Sequence, residues 1–323
     1  MAQALANVSH RQKVFATPEH ILVATDLTDS EFLIPHAVAQ ARAAGARVTL
    51  VHAIMPSDSL AMEAGAVPYV VPSPLDRDVD QALAEMAGQI TKEGVACDFV
   101  ARHGFPADVV QGQIELTGAT RLIMASHGRG KLGQFLMGSV ANQLLGSLTI
   151  PAFVVGPQCS GSVQHAVPKN ILHPVSMRGD YQASAAVAIA IARQFNAELT
   201  LLHVPDRDEE RNIHAGHTIA WAENIFASIA PGGLPTEPRI HISIGFGNLI
   251  ENIQHEAERT SADWVVMGID EETHLWPLKE SSAYRVMAHS RCPVFAIPQE
   301  RSKAGAPEVV ESRFQNVNEQ ILA

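Results

Sequence analysis

Short apolar runs alternate with longer stretches of helical periodicity along most of the chain. The runs are rich in Val, Ile and Leu, as expected of strands that are buried on both faces. In the first half they lie at residues 20–25, 47–54, 97–103, 121–126 and 150–156. The intervening stretches predict helices at residues 31–44, 77–93, 106–118 and 137–146. This alternation is typical of an α/β fold with parallel strands and crossover helices.

The second half of the chain repeats the pattern of the first. Its apolar runs lie at residues 169–175, 198–204, 239–245, 263–269 and 292–298. Residues 21–26, 47–53, 104–105, 121–125 and 151–155 recur, in order, at 171–176, 198–204, 245–246, 264–268 and 293–297. Five matches in one order indicate a duplication. We therefore predict two tandem doubly wound domains, each with a five-stranded, mainly parallel sheet and helices on both faces.

Length and local composition predict where these domains begin and end. The chain has 323 residues, an ordinary length for two domains. Polar or small residues flank and separate the two repeats. The predicted parts are an N-terminal extension (1–19), a first domain (20–156), a linker (157–168), a second domain (169–298) and a polar tail (299–323).

Charge and cysteine content narrow the classes of partner. The formal net charge of −11 disfavours nucleic acid as a partner, because binding phosphates requires an excess of Lys and Arg. No apolar run reaches the roughly 18–20 residues of a membrane span, and residues 1–15 lack the apolar core of a signal peptide. Cys97, Cys159 and Cys292 match no metal or disulfide spacing. We expect a cytoplasmic protein with reduced thiols.

A glycine-rich loop follows the fourth predicted strand. Gly128, Gly130 and Gly133 lie close together, and Gly138 and Ser139 open the next helix. Glycines let backbone N–H groups approach a ligand, and a helix start adds N–H groups with partial positive charge. Ligands of parallel sheets lie beyond the carboxyl ends of the strands, so the loop predicts a phosphate site. The alternative is a tight connection without a ligand, since Gly is the usual turn residue.

Asp26 ends the first strand at the same edge of the sheet, where it could accept hydrogen bonds from a base or a ribose. The alternative is that Asp26 or Asp29 caps the following helix. Residues 128–133 also match the dinucleotide pattern GxGxxG, but they follow the fourth strand and lack an acidic partner about 20 residues on. No GxxxxGK[ST] sequence is present.

Residues 125–139 resemble the nucleotide signature of the universal stress protein family, which is Gly, two residues, Gly, nine residues, Gly, then Ser or Thr. Gly128 stands at the second Gly, and Gly138 and Ser139 close the motif. Ala125 replaces the first Gly, and its methyl group would matter if that position needed a positive φ. The resemblance covers both copies and implies a tandem member whose domains pair pseudo-symmetrically through residues 151–156 and 293–298.

The resemblance also implies ATP, with or without Mg²⁺, in the first domain. Members that bind ATP use an Asp after the first strand, backbone after the second strand and the signature loop. These features fall on Asp26, Ala53, Ala125, His127, Gly128, Gly138, Ser139 and Val140. In the second copy Ser176 replaces Asp26, and Asp270, Glu271 and Glu272 follow Gly268. Because these carboxylates would repel a triphosphate, we expect that this copy does not bind ATP in the family's manner.

The leading hypothesis is a stress-response protein that binds ATP or another adenine nucleotide in domain 1, as a nucleotide-dependent regulatory module. We expect a homodimer and assign no catalytic or metal-binding residue. One alternative is a slow ATPase or nucleotidyl-transfer enzyme, with His127 and Ser139 beside the phosphates. Another is a scaffold that binds no nucleotide. His214 and His217 have a spacing that could hold a metal, but no further ligand is clustered with them.

Two further histidines lie at matching positions of the repeat. His52 and His203 each end the second strand of a domain. Buried polar backbone groups need hydrogen-bond partners, so we expect a shared structural role for this pair rather than a catalytic one.

Overall fold

The computed structural model describes residues 14–55, 74–126, 138–156, 159, 166–175, 181–205, 237–270 and 282–299. The strands are β1 (His20–Ala24), β2 (Arg47–Ile54), β3 (Cys97–His103), β4 (Arg121–Ala125), β5 (Ala152–Val155), β6 (Asn170–Val175), β7 (Glu198–His203), β8 (Ile240–Ile244), β9 (Trp264–Asp270) and β10 (Val294–Gln299). The helices are α1 (Ser30–Ala44), α2 (Pro74–Lys92), α3 (Pro106–Thr117), α4 (Ser139–Leu145), α5 (Tyr181–Phe195), α6 (Leu249–Arg259) and α7 (Ser282–His289). Each predicted strand is present to within two residues at either end.

All ten described strands form one continuous sheet. Their order is β3-β2-β1-β4-β5-β10-β9-β6-β7-β8. Neighbours within each half are parallel, whereas β5 and β10 pair antiparallel at the centre. The predicted pair of five-stranded domains, joined through their last strands, is therefore confirmed.

The helices cover both faces of this sheet because successive residues of each strand point to opposite sides. Ile21 and Val23 of β1 pack into one apolar core, and Leu22 between them packs into the other. Each core runs through both halves of the chain. This is why the strands read as continuous apolar runs rather than as alternating ones.

The junction between the halves is aromatic. Phe153 of β5 and Phe295 of β10 are direct partners in the antiparallel register, with ring centroids 6.4 Å apart. The Trp264 ring lies 4.8 Å from Phe153, and the Arg121 guanidinium lies 4.6 Å from the Phe295 ring. Arg121 and Trp264 begin equivalent strands of the repeat, so the two contacts are pseudo-symmetric counterparts.

Two helices of the first half end at glycines in the left-handed conformation. Gly45 follows α1 with φ 68°, and Gly118 follows α3 with φ 64°. A side chain is disfavoured at that φ, which is the reason for glycine at both helix ends. None of the described helices is both long and apolar enough to cross a membrane.

Candidate functional site

The edge of the sheet formed by the carboxyl ends of β2, β1 and β4 brings the predicted site segments together. Ala24 of β1 pairs with Val51 of β2 on one side and with Met124 of β4 on the other. Asp26, Ala53 and Ser126 follow these positions by two residues each. The strand order reverses between β1 and β4, which is where open parallel sheets bind ligands.

Asp26 lies in a tight turn immediately after β1 and is half-buried. Its Oδ1 accepts hydrogen bonds from the Thr28 backbone N–H at 2.8 Å and from the Thr28 hydroxyl at 2.6 Å. The bonded amide belongs to the turn and precedes α1. The carboxylate of Asp26 is therefore oriented by its own turn and does not cap the helix.

Asp29 occupies the N-cap position of α1, but its side chain makes no capping hydrogen bond. Its Oδ1 instead accepts from the Thr25 hydroxyl at 2.5 Å, and its Oδ2 lies 3.5 Å from the Asp26 backbone nitrogen. Asp29 is only 7% exposed, and this burial raises the pKa of its carboxyl to about 6. The capping alternative for these two aspartates is therefore wrong.

Ala53 lies near the end of β2 and is half-buried. The preceding His52 reaches back to β1, where its Nδ1 lies 2.8 Å from the Thr25 carbonyl oxygen. In the second half, His203 Nδ1 lies 3.0 Å from the Val175 carbonyl oxygen at the equivalent place. The expected shared structural role of this histidine pair is confirmed.

Ala125 is the last residue of β4, where it pairs with Val155 of β5. It is not among the described residues with a positive φ, so its methyl group imposes no backbone strain. The substitution of the first signature Gly is thus accommodated in extended backbone. The concern that the position needs glycine conformation does not apply.

The signature loop closes on itself at its base. Ser126 follows β4, is fully buried and accepts a 2.7 Å hydrogen bond from the Gly138 backbone N–H. Gly138 has φ −60° and directly precedes α4, which begins with Ser139 and Val140. The start of α4 is therefore held at the end of β4. His127, Gly128 and the rest of the loop to residue 137 lie outside the described residues.

The second domain differs at the matching edge. A Cβ atom at Gly268 would collide with the side-chain amide of Gln299, which extends from the neighbouring strand β10. At the equivalent position of the first domain, Ala125 carries a Cβ atom and pairs normally with Val155. Ser176 and residues 271–281 lie outside the described residues. The space over the first signature position is thus taken by the chain's own side chain in domain 2.

The remaining predicted features are the three cysteines and a possible histidine metal site. Burial raises the pKa of Cys97 to about 12, of Cys159 to about 12 and of Cys292 to about 11, so these thiols stay protonated and weakly nucleophilic. Among the described residues, no three His, Cys, Asp or Glu side chains gather to hold a metal. His214 and His217 lie outside those residues.

Sequence reasoning did not assign a role to Thr25 or to the buried carboxyl of Asp29 beyond capping. A usable signal was present in the repeat. The position of Thr25 is occupied by Val175 in the second copy, so a hydroxyl appears at an otherwise apolar strand end. A polar residue at such a place requires a hydrogen-bond partner, and Asp29, four residues further along the chain, is the acceptor.

Comparison with known proteins gives one consistent family. The model of the universal stress protein family matches residues 18–156 and again residues 168–298. No curated protein matches the chain.

Two similar solved structures extend over most of the chain, and a third covers less than half of it. A universal stress protein from Archaeoglobus fulgidus is 18% identical, with 87% of this chain and 98% of that chain covered and a TM-score of 0.64. A functionally unknown protein from Pseudomonas aeruginosa is 14% identical, with 89% and 95% covered and a TM-score of 0.64. A universal stress protein solved in complex with cAMP is 18% identical, with 43% and 98% covered and a TM-score of 0.33.

Proposed function

The chain belongs to the universal stress protein family as a tandem two-domain member, and from that premise we propose that its first domain binds ATP or another adenine nucleotide. Nucleotide occupancy would act as a regulatory signal by ordering the signature loop and altering a surface for a protein partner. A ligand can act in this way only through different affinities for the two loop states.

One observation carries the proposal: Asp26 and the base of the signature loop flank the point where the strand order reverses. β1 and β4 are neighbours in parallel register, so their following segments share one edge. Asp26 supplies a half-buried acceptor for an adenine amine or a ribose hydroxyl. Ser139 and Val140 supply backbone N–H groups for phosphate oxygens at the start of α4, and the Gly138 N–H holds that start against Ser126 at the end of β4.

We propose that only the first domain binds nucleotide in this way. Gln299 covers Gly268 in the second domain, and Val175 there replaces Thr25. The carboxylates of residues 270–272 add repulsion for a triphosphate. One nucleotide per chain is the expected stoichiometry.

Isothermal titration with ATP tests the site. The wild-type chain is expected to release or absorb heat with a single binding site. Asp26→Ala removes the base or ribose acceptor, and Gly138→Glu places a carboxylate at the phosphate end. Both variants should therefore bind at least tenfold more weakly, about 1.4 kcal/mol or more.

Asp98→Ala is the matched control, because Asp98 is an exposed aspartate on the outer strand β3. It should leave the affinity for ATP unchanged. Absence of heat with the wild type would reject nucleotide binding. Equal affinity in Asp26→Ala and the wild type would reject the site.

We also propose that the protein acts in the cytoplasm as a homodimer. The buried thiols of Cys159 and Cys292 support a reducing location. Phe99 and Ile242 support association, since these exposed side chains lie on the two outermost described strands at equivalent positions of the repeat. Light scattering of the wild type should give the mass of two chains, and a mass of one chain would reject the dimer.

A further inference from the structure

A buried hydroxyl–carboxyl pair flanks Asp26 within the turn after β1. Thr25 is 7% exposed and Asp29 is 7% exposed, while Asp26 between them is more accessible. The Thr25 hydroxyl donates to Asp29 Oδ1 at 2.5 Å. The second oxygen of Asp29 faces the backbone N–H of Asp26 at 3.5 Å.

The same hydroxyl also fixes an unfavourable backbone conformation. Leu27 has φ 73°, in the left-handed region that side chains rarely adopt. Its backbone N–H donates to the Thr25 hydroxyl oxygen at 2.9 Å. This turn places the Thr28 amide against Asp26 Oδ1. The orientation of the Asp26 carboxylate therefore depends on a turn that the Thr25 hydroxyl stabilises.

Thr25 is in turn fixed by the sheet. Its backbone N–H donates to the Val51 carbonyl at 3.0 Å, and its carbonyl oxygen lies 2.8 Å from His52 Nδ1. Every polar atom of Thr25 is thus in a hydrogen bond. Thr25 and Asp29 therefore connect the turn that carries Asp26 to the strands by hydrogen bonds.

The second domain offers an internal comparison. His203 contacts the carbonyl of Val175 as His52 contacts that of Thr25. The histidine anchor is therefore common to both domains. The first domain has a hydroxyl followed by an aspartate, Thr25 and Asp26. The second domain has neither, since Val175 and Ser176 occupy these positions. The hydroxyl–carboxyl pair is therefore found only in the domain that has Asp26, although both domains have the same fold.

We infer that Thr25 and Asp29 are positioning residues that hold Asp26 in the orientation in which it accepts hydrogen bonds from the nucleotide. The inference rests on the proposed function for its ligand. It concerns the ligand-free turn as well, since the hydrogen bonds are made by the chain alone. Neither residue contacts the nucleotide in this account.

Two substitutions at Thr25 separate a positioning role from general packing. Thr25→Val keeps the shape of the side chain and removes the hydroxyl, as the second domain does naturally. Thr25→Ser keeps the hydroxyl and removes a methyl group. Asp29→Ala removes the acceptor, and Asp29→Asn keeps one acceptor oxygen. Circular dichroism and thermal unfolding show which variants are folded, and the folded ones are compared.

The first readout needs no nucleotide. Amide hydrogen exchange and backbone NMR of the free protein report on the Leu27 and Thr28 amides. Thr25→Val should lose protection at both amides by about tenfold, whereas Thr25→Ser should stay within about twofold of the wild type. The second readout is titration with ATP, in which Thr25→Val and Asp29→Ala should bind about tenfold more weakly and Thr25→Ser should restore wild-type affinity.

The outcomes separate the inference from the proposed function. If Thr25→Val leaves both amides protected and ATP binding unchanged, the positioning inference is overturned and the proposed function survives. If Thr25→Val frees both amides but the wild type binds no ATP, the proposed function fails while the pair still positions Asp26. Equal loss of ATP binding in Thr25→Ser and Thr25→Val would assign the effect to packing and overturn the inference.

Discussion

At the scale of single residues, burial of ionisable groups changes how the stability of the protein depends on pH. Asp29 lies in the first domain and His173 in the second, and both side chains are buried. Burial raises the pKa of Asp29 to about 6 from its ordinary 3.8, and burial lowers the pKa of His173 to about 4 from its ordinary 6.5. In both groups the neutral form is favoured because the charged form loses hydration.

The sign of each contribution follows from proton binding. Between about pH 4 and 6 the folded chain keeps a proton on Asp29 that the unfolded chain has lost, so the stability from Asp29 falls as pH rises. His173 has the opposite effect, because the unfolded chain binds the proton first. The two partly cancel in the wild type.

Asp29→Asn should remove the pH-dependent stability that comes from Asp29 and leave that from His173. The shift of Asp29 from 3.8 to about 6 corresponds to about 3 kcal/mol. Relative to the wild type, the free energy of unfolding of the variant should therefore rise by up to about 3 kcal/mol between pH 4 and 7.5. Urea unfolding at a series of pH values measures this difference, and parallel curves for the two proteins would refute the assigned cause.

Arg121 is a buried cation at the junction, and no carboxylate in the described part of the chain forms an ion pair with it. It is 1% exposed, and burial lowers the pKa of its guanidinium to about 9, so it stays charged at neutral pH. Its Nη atoms donate to Gln40 Oε1 and to the carbonyls of Phe15 and Ala16. Among the described residues, neither Arg121 Nε nor Gln40 Nε2 has a hydrogen-bond partner.

Gln40→Glu should stabilise the protein, which is unusual for introducing a buried charge. The new carboxylate has the shape of the amide, removes an unpaired donor and neutralises the Arg121 cation. We expect a gain of about 1–2 kcal/mol in the free energy of unfolding at pH 7. Gln254→Glu, on an exposed position of α6, is the control for charge alone. A loss of stability in Gln40→Glu would mean that desolvation outweighs the ion pair.

At the scale of elements, the antiparallel pair β5 and β10 joins the two domains. Phe153 is fully buried and contacts His36, Trp264 and Phe295, with ring centroids 4.9, 4.8 and 6.4 Å away. Phe153 therefore joins a helix of the first domain to strands of the second. The apolar interface replaces two sheet edges that would otherwise be exposed.

Phe153→Ala should weaken the union of the two domains. Removing a buried aromatic ring costs about 3–5 kcal/mol, and here the cavity would open at the junction. Urea unfolding should show this loss, and the two domains should unfold at more widely separated urea concentrations than in the wild type. Phe105→Ala is the control, since Phe105 is 48% exposed. A change below about 1 kcal/mol in Phe153→Ala would show that the junction does not depend on this ring.

The elements themselves were largely predictable, whereas the contacts within the site were not. β2 occupies the predicted residues, because an apolar run bounded by polar residues specifies a buried strand. The wrong interpretation of Asp29 has a different origin. Aspartate is common at helix starts, and only the folded turn shows that its carboxyl faces Thr25 instead. Arg121 likewise begins a strand in sequence, and its burial depends on contacts distant along the chain, which are hydrogen bonds to Phe15, Ala16 and Gln40 and the ring of Phe295.

At the scale of the whole molecule, the two copies share their fold and differ at the carboxyl edge of the sheet. Both domains retain the strand order, the histidine anchor and the central aromatic pair. The domains differ at the carboxyl edge, where Asp26 and Thr25 have no counterparts in the second copy. Gln299 also covers Gly268 there. This asymmetry is the basis of the proposal that each chain binds one nucleotide.

Native mass spectrometry of the purified chain, equilibrated with ATP, counts bound nucleotides per chain most directly. The account predicts a mass increase of one adenine nucleotide for the wild type and none for Asp26→Ala under the same conditions. A wild-type chain that carries no nucleotide or two, or an Asp26→Ala chain that carries as much as the wild type, would contradict it.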